Sequence, residues 1–190
     1  MAKISKKDVD YSLVRRCLKN EISAYKELYE KYAPKMFGIC LRYAKDFHSA
    51  EDILQDGFTK LYKNLKKFRF EGSFEGWLKR IIVNTAIEKY RKKVSLYPIV
   101  DIGDSEREKV YDNTLNRLQA EDIMKMVEKL SPGYKTVFNL YVIDGYPHKD
   151  IGLMLGISEG TSKSQLARAR YLLQEMIINL DESYRQAYGK

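Results

Sequence analysis

The sequence predicts an all-α fold of two helical domains joined by a flexible acidic linker, with a helix-turn-helix as the C-terminal domain. Apolar residues recur every three or four positions through most of the chain, which is the period of an amphipathic helix, and no stretch alternates with the two-residue period of a strand. Residues 94–113 are dense in charge, poor in apolar side chains and follow no period. We therefore expect helical domains at residues 8–93 and 114–183.

The first domain opens with two predicted helices. Residues 8–19 place valine, leucine and Cys17 on one side of a short helix. Residues 21–44 continue the apolar period through Cys40, but Pro34 lies in the middle. Because proline removes a backbone donor and its ring crowds the preceding turn, we expect a kink or a split into two helices there. Both cysteines are expected to act as small buried hydrophobes in a reducing compartment.

The rest of the first domain is predicted to form two further helices with a loop between them. Ser49 is expected to cap the third helix, which carries an inward apolar stripe. The stripe comprises Leu54, Phe58, Leu61 and Leu65. Residues 66–73 break the period and are predicted to form a loop, after which the helical period runs from Phe74 to about Lys93.

The linker carries a local negative charge, since residues 101–112 contain five acidic residues and two cations, a net charge of −3. Helical periodicity returns at residues 114–130. Ser131 and Pro132 then supply an N-cap and a proline at the first helical position, which predicts a helix through Val142.

The following residues, 146–170, predict a helix, a tight turn and a second helix that extends to about Leu180. Gly152 lets two helices approach closely, Gly156 stands where the turn favours a positive φ, and Ser158 is placed to cap the second helix. One flank of that helix is basic and polar, which suits the base edges and phosphates of a DNA major groove. This flank comprises Lys163, Ser164, Gln165, Arg168 and Arg170. A generic helical hairpin is the alternative, but the turn glycine, the cap and the basic flank together favour a DNA reader.

The first domain offers a second candidate nucleic-acid surface. Residues 77–93 carry six cations and one acid, a net charge of +5, and this density favours phosphate contact over an ordinary solvated face. The preceding loop presents Phe68, Arg69 and Phe70, and such aromatic and cationic side chains suit unstacked single-stranded bases, although phenylalanines here can instead cover the core. Asn84 can bind a base edge or satisfy backbone groups.

A separate acidic stripe is predicted on the third helix. Asp52, Gln55 and Asp56 have the spacing i, i+3 and i+4, which puts them on one face opposite the buried stripe. Such a stripe fits a basic protein partner. By itself it also fits a solubilising face.

Composition favours a polyanion partner and gives no sign of an enzyme. Lys and Arg number 34 against 26 Asp and Glu, a net charge of +8. The N-terminus lacks the apolar segment of a signal peptide, and no apolar run approaches the roughly 20 residues of a membrane span, so we expect no membrane insertion. His48 and His148 lack metal-ligand spacing, and no glycine-rich phosphate cradle or nucleophile elbow is present. We therefore predict no enzyme activity, no catalytic residue, no metal and no cofactor.

Three motifs, in this order, resemble those of bacterial RNA polymerase sigma factors of the extracytoplasmic-function (ECF) class. They are EDILQDGF at residues 51–58, FEGWLKRIIVNTA at residues 74–86 and LMLGISEGTSKSQLARAR at residues 153–170. The resemblance covers about residues 20–180, and its second and third motifs are specific. It implies a cytoplasmic transcription initiation factor that binds core RNA polymerase, recognises promoter elements and promotes DNA melting, with sigma region 2 at residues 8–93 and region 4 at residues 114–183.

The resemblance also implies roles for individual residues. Asp52, Gln55 and Asp56 match positions that grip the clamp of the polymerase's largest subunit, and the flap region is a further implied contact. The residues matching the region that melts and reads the downstream (minus-ten) element are Phe70, Ser73, Lys79, Arg80, Asn84 and Arg91. The residues matching the helix that reads the upstream (minus-thirty-five) element are Thr161, Lys163, Ser164, Gln165, Arg168 and Arg170. The linker takes the place of a folded middle domain, and an anti-sigma factor is a further partner that the family implies.

Two positions depart from the family pattern. Ser162 stands where valine usually packs the recognition helix onto its partner, which is expected to loosen the helix-turn-helix slightly. Gln165 replaces a common arginine, and since glutamine favours adenine where arginine favours guanine, it changes the expected upstream sequence.

The alternative from a different class is a conventional helix-turn-helix repressor or activator whose N-terminal helices dimerise or sense a ligand. Such a regulator gives the basic helix, the aromatic loop and the acidic linker no shared purpose. It would bind double-stranded DNA alone, whereas a sigma factor makes core polymerase initiate at a promoter.

Overall fold

The computed structural model describes residues 6–94 and 120–188, and every regular element within these ranges is helical. The predicted all-α class is confirmed. The chain divides into two compact units, Met1–Tyr97 and Pro98–Lys190. The predicted linker, apart from Val94, lies outside the described residues, and so do residues 114–119 of the helix predicted after it.

The first unit is a helical cluster in which the second, third and fourth helices pack against one another and the first packs mainly on the second. The stripe predicted for the third helix is confirmed, since Leu54, Phe58, Leu61 and Leu65 are all buried. Exclusion of these side chains from water is the main stabilising term for such a unit. The helices are α1 (Lys6–Leu18), α2 (Ile22–Tyr43), α3 (Phe47–Asn64) and α4 (Phe74–Val94), with a 3₁₀ turn at Leu65–Lys67.

Pro34 does not divide α2, which is one continuous helix from Ile22 to Tyr43, so the predicted split is wrong. The proline ring lies on the exposed side, while Ala33 and Met36 beside it are buried. Packing on the inner face therefore holds the helix together although one backbone hydrogen bond is lost.

The N-cap of α3 also differs from the prediction. It is Asp46, whose Oδ1 accepts a hydrogen bond of 2.7 Å from the backbone N–H of Ser49. Ser49 thus lies inside the first turn as the group that is capped. The hydrogen bonds from Ser49 hold the pKa of Asp46 down, at about 2.

Helices α3 and α4 meet at a close approach between Gly57 and Ile82, where a Cβ on the glycine would overlap Ile82 Cδ1. Ile82 is fully buried, so it has no free space into which to move. Two ion pairs join the same helices, Lys60 Nζ to Glu88 Oε2 at 2.6 Å and Lys89 Nζ to Asp56 Oδ2 at 2.8 Å.

Both cysteines are buried and free, which confirms their predicted role as small hydrophobes. Burial raises the pKa of both thiols, that of Cys40 to about 12. The thiolate is therefore disfavoured at Cys17 and Cys40 in the folded state.

The second unit packs its longest helix, the last, against the helix that follows Pro132 and against the first helix of the helix-turn-helix. Pro132 is the first residue of its helix, as predicted, and Ser131 stands at the N-cap position without a capping hydrogen bond from its side chain. The helix widens into a π-helical turn before it ends. The buried core includes Val127, Val137 and Ile151. The elements are α5 (Ala120–Glu128), α6 (Pro132–Phe138) with its π-helical turn (Asn139–Ile143), α7 (His148–Leu155) and α8 (Glu159–Tyr188).

The turn between α7 and α8 has the predicted chemistry. Gly156 has φ 71°, in the left-handed region that favours glycine. Ser158 Oγ accepts a hydrogen bond of 2.9 Å from the backbone N–H of Thr161, as an N-cap should. A Cβ on Gly152 would lie 2.9 Å from the carbonyl oxygen of Ile157, so glycine is needed where α7 passes the turn.

The Gly152→Ala variant is expected to destabilise the helix-turn-helix by about 1–3 kcal/mol, because the new methyl group meets backbone that cannot yield cheaply. Urea unfolding of the full chain measures the change. The matched control is Gly160→Ala in the same unit, where the nearest atom, Ser158 Oγ, would be at an ordinary 3.6 Å. Equal stability of the two variants would contradict the assigned close approach.

Candidate nucleic-acid and partner surfaces

The exposed arc of α8 carries most of the predicted upstream-element residues. Ser164 and Arg168 lie on one side of it beside the half-buried Thr161, and Lys163 and Arg170 lie on the other. Lys163 Nζ is 2.7 Å from Glu159 Oε1, and the Arg168 guanidinium carbon lies 5.0 Å from the centre of the Tyr171 ring. The arc is thus polar and cationic, and local contacts hold Lys163 and Arg168.

Gln165 is not on this arc. Its side chain is 6% exposed and faces α6, with Oε1 3.6 Å from where a Cβ on Gly133 would stand. The placement of Gln165 among the exposed DNA-reading residues is therefore wrong. The helical period indicates this position, because Ser162, three residues before Gln165, and Ala169, four residues after it, are both buried.

The buried Ser162 has a hydrogen-bonding partner that sequence reasoning did not identify. Its Oγ lies 2.9 Å from His148 Nδ1 at the start of α7, and the His148 ring stacks on Tyr141 with centroids 4.3 Å apart. A valine would offer no such hydrogen bond. His148 thus joins α7, α8 and the π-helical turn.

The stability of the helix-turn-helix is expected to depend on pH through His148. Burial lowers the pKa of His148 below its ordinary value near 6.5, Lys163 and Arg170 act in the same direction, and Glu159 opposes them. Because the unfolded chain then binds the proton more readily, this stability is complete above the ordinary pKa and is lost as the pH falls from there through the lower pKa of the folded state. We expect urea unfolding at about pH 8 and about pH 5.5 to show a larger loss for the natural chain than for His148→Gln. Identical pH dependence of the two proteins would exclude this role.

The described part of α4 presents a narrower basic stripe than expected. Arg80, Asn84 and Arg91 are exposed and follow one face at helical spacing, with Lys79 half-buried beside it. Lys89, counted with these cations at first, pairs instead with Asp56 of α3. The side chains of residues 92 and 93 lie outside the described part.

The loop before α4 divides its aromatic residues between core and surface. Phe68 and Phe74 are buried, so they cover the core, whereas Phe70 is half-buried and has a left-handed φ of 59°. Phe68 joins the two groups, since it contacts the rings of Phe70, Phe74 and Trp77. Ser73 is exposed, and its Oγ accepts a hydrogen bond of 3.2 Å from the Gly76 N–H in the first turn of α4.

Asp52, Gln55 and Asp56 are all exposed on α3, as the spacing predicted. The ion pair with Lys89 leaves Asp52 and Gln55 as the more available part of the stripe. Two exposed apolar side chains nearby in sequence, Leu41 and Phe47, were not singled out from the sequence. They lie at the end of α2 and the start of α3.

Within residues 6–94 and 120–188, no cluster of three or more histidine, cysteine or acidic side chains is arranged to hold a metal ion. None of the helices in those same ranges combines the length and apolar character of a membrane span.

Comparison with known proteins matches both units. The family model for Sigma-70 region 2 matches residues 28–95, and that for Sigma-70, region 4 matches residues 120–173. The chain is 28% identical over 179 residues to the ECF RNA polymerase sigma factor SigW of Bacillus subtilis, covering 88% of this chain and 96% of that protein. It is 27% identical over 186 residues to the ECF RNA polymerase sigma-E factor of Escherichia coli, covering 92% and 97%.

The fold is shared with solved structures. The sigma factor RpoE of Bartonella quintana, solved in complex with the anti-sigma factor NepR, has a TM-score of 0.50 and 23% identity, covering 84% of this chain and 99% of that one. CnrH, solved in complex with the cytosolic domain of CnrY, also has a TM-score of 0.50, with 19% identity over 90% of this chain and 99% of that one.

Proposed function

Because the chain belongs to the sigma-70 family and is a sigma factor of the extracytoplasmic-function class, we propose that three of its surfaces divide the work of transcription initiation. As such a factor it binds core RNA polymerase, recognises promoter elements and promotes DNA melting. The acidic stripe of α3 docks on the polymerase. The loop before α4 and the basic stripe of α4 hold the melted downstream element, and the exposed arc of α8 reads the upstream element.

One observation carries the proposal: each matched family region coincides with one compact unit, and each unit presents an exposed cationic helix face. Contact with phosphates by such faces provides affinity, and side chains that reach base edges provide sequence choice. A conventional regulator needs only the second of these units.

Upstream recognition rests on α8. Arg168 and Ser164 stand together on the exposed arc, and an arginine can donate two hydrogen bonds to a guanine in the major groove. Lys163 and Arg170, on the other side of the arc, supply phosphate contacts. Gln165 is left out of this set because it is buried.

Downstream recognition combines α4 with its preceding loop. The half-buried ring of Phe70 offers a stacking surface for an unstacked base, and the amide of Asn84 offers hydrogen bonds to a base edge. Arg80 and Arg91 on the same exposed stripe follow the backbone of the strand. The strands separate because the captured base is held outside the duplex.

The acidic stripe supplies the contact with the polymerase. Asp52 and Gln55 present oxygen acceptors to the clamp of the largest subunit, and the flap region is a further contact that the family implies. Bond formation belongs to the polymerase, so no catalytic role is assigned to the chain, and its place of action is the cytoplasm. An anti-sigma factor is a further partner, supported by the complex of RpoE with the anti-sigma factor NepR.

In vitro transcription tests the function directly. Purified chain and core polymerase are incubated with a pool of genomic fragments, and the 5′ ends of the transcripts are sequenced. We expect start sites that are absent with core polymerase alone and that share two conserved elements upstream. Binding to duplex DNA without polymerase, together with no transcript from any fragment, would favour the conventional regulator instead.

A further inference from the structure

We propose that Tyr11 of α1 is a positioning residue for the loop that captures the downstream element. Its ring and hydroxyl fix the backbone conformation in which Phe70 is presented to the DNA strand. The inference rests on the function proposed above for this loop, and it extends that function to a helix that precedes the residues matched by the region 2 model.

The loop has a backbone that its own sequence does not favour. Phe70 has φ 59° and Gly72 has φ 96°, so two of three consecutive residues lie in the left-handed region. Glycine adopts that region freely, but phenylalanine does not, because its Cβ crowds the backbone there. Contacts from outside the loop must therefore hold Phe70 in place.

Tyr11 supplies those contacts at three points. Its hydroxyl donates a hydrogen bond of 2.7 Å to the carbonyl oxygen of Gly72, which is 61 residues away in the chain. Its ring meets Phe70 edge to face with centroids 5.3 Å apart, and it meets Phe68 at 5.8 Å. One side chain thus ties both left-handed residues to the buried Phe68.

Arg15, one turn further along α1, also contacts Phe70. Its guanidinium carbon lies 5.4 Å from the centre of the Phe70 ring. Such a contact is attractive because the cation faces the electron-rich ring. Phe70 therefore contacts an aromatic ring and a cation, both supplied by the same face of α1.

This arrangement fixes the direction of the Phe70 ring relative to α4. Under the function proposed above, a base that stacks on Phe70 turns its edge or its backbone toward Asn84 and Arg80, which are exposed on α4. Because the loop is already held in this conformation, less conformational entropy is lost when the DNA strand binds. Loss of the Tyr11 hydroxyl should then weaken capture of the single strand and blur its base preference, while leaving upstream binding and polymerase docking unchanged.

The test uses holoenzyme reconstituted from core polymerase and full-length chain. The probe is a pool of single-stranded DNA oligonucleotides with a randomised centre, from which bound molecules are sequenced and re-measured for affinity. Tyr11→Phe keeps both ring contacts and loses only the hydrogen bond, so we expect about fivefold weaker binding and a flatter base preference. Tyr11→Ala loses the ring contacts as well and is expected to bind more than about tenfold more weakly.

Tyr62→Phe is the matched control. Its hydroxyl also donates to a backbone carbonyl of another helix, that of Tyr25 at 3.2 Å, and its ring packs on those of Tyr25 and Phe58. We expect this variant to lose stability in thermal unfolding without any change in the selected sequences. Base preference is thus the readout that separates positioning from a general structural role.

Two results would overturn the inference: selection by Tyr11→Phe of the same sequences with unchanged affinity, or an equal loss of preference in Tyr62→Phe. Failure of the proposed function looks different. In that case the natural chain itself selects no sequence as holoenzyme and opens no promoter, whatever stands at position 11.

Discussion

Replacing Asp52 and Asp56 by arginine is expected to abolish association with core RNA polymerase. Both carboxylates are exposed on α3, and loss of the Asp56–Lys89 ion pair leaves the buried contacts between α3 and α4 in place, so the N-terminal unit should remain folded. Reversing charges in a complementary interface sets like charges against each other and costs several kcal/mol, which corresponds to a loss of more than about 100-fold in affinity. Size-exclusion co-elution with core polymerase and circular dichroism of the free variant provide the two measurements.

The single variants separate the contributions of the two carboxylates. Asp52→Arg should carry most of the loss, because Asp56 is engaged by Lys89 whereas Asp52 is not part of that ion pair. Glu30→Arg is the matched control, since it makes the same charge change at an exposed position of α2 that pairs only locally with Lys26. Normal co-elution of the double variant, or equal loss with Glu30→Arg, would rule out the docking role of the stripe.

Replacing Arg168 by alanine is expected to weaken binding of the upstream element by about 1–3 kcal/mol, or about 5- to 150-fold, and to relax base choice at one position. Arg168 is exposed, and its guanidinium lies over the ring of the neighbouring Tyr171, so the variant should lose little stability. Affinity of the holoenzyme for promoter duplexes that differ at single upstream positions measures both effects.

Two controls belong to this experiment. Lys125→Ala removes a cation of the same unit that pairs with Asp122 on α5, and it should leave affinity unchanged. Gln165→Ala removes a side chain that lies three residues before Arg168 but faces α6, so it should lower stability and leave base choice intact. An altered base choice with Gln165→Ala, or none with Arg168→Ala, would contradict the assigned arc.

The parts of the fold that were predictable from sequence depend on local chemistry. Gly156 and Ser158 identified the turn of the helix-turn-helix because a positive φ and an N-cap each require particular residue types at fixed offsets. The α3 stripe was predictable for a similar reason, since its spacing follows the pitch of the helix.

The features that the sequence did not predict depend on contacts with another part of the fold. Gln165 is polar and was expected on the surface, yet its position on α8 turns it toward α6. Pro34 was expected to interrupt its helix, but packing on the inner face maintains it. The contact of Tyr11 with Gly72 joins residues 61 positions apart, and no periodicity indicates such a pair.

The close approach at Gly57 has a mechanical consequence. Since the glycine leaves no gap between α3 and Ile82 of α4, and the pairs Lys60–Glu88 and Lys89–Asp56 join the same two helices, neither helix can slide along the other without disturbing buried side chains. We therefore expect a force on the exposed carboxylates of α3 to reach the arginines of α4 with little movement of one helix relative to the other. A protein that must pull apart two DNA strands while anchored elsewhere gains from such stiffness, because the strain falls on the base pairs and not on its own interior.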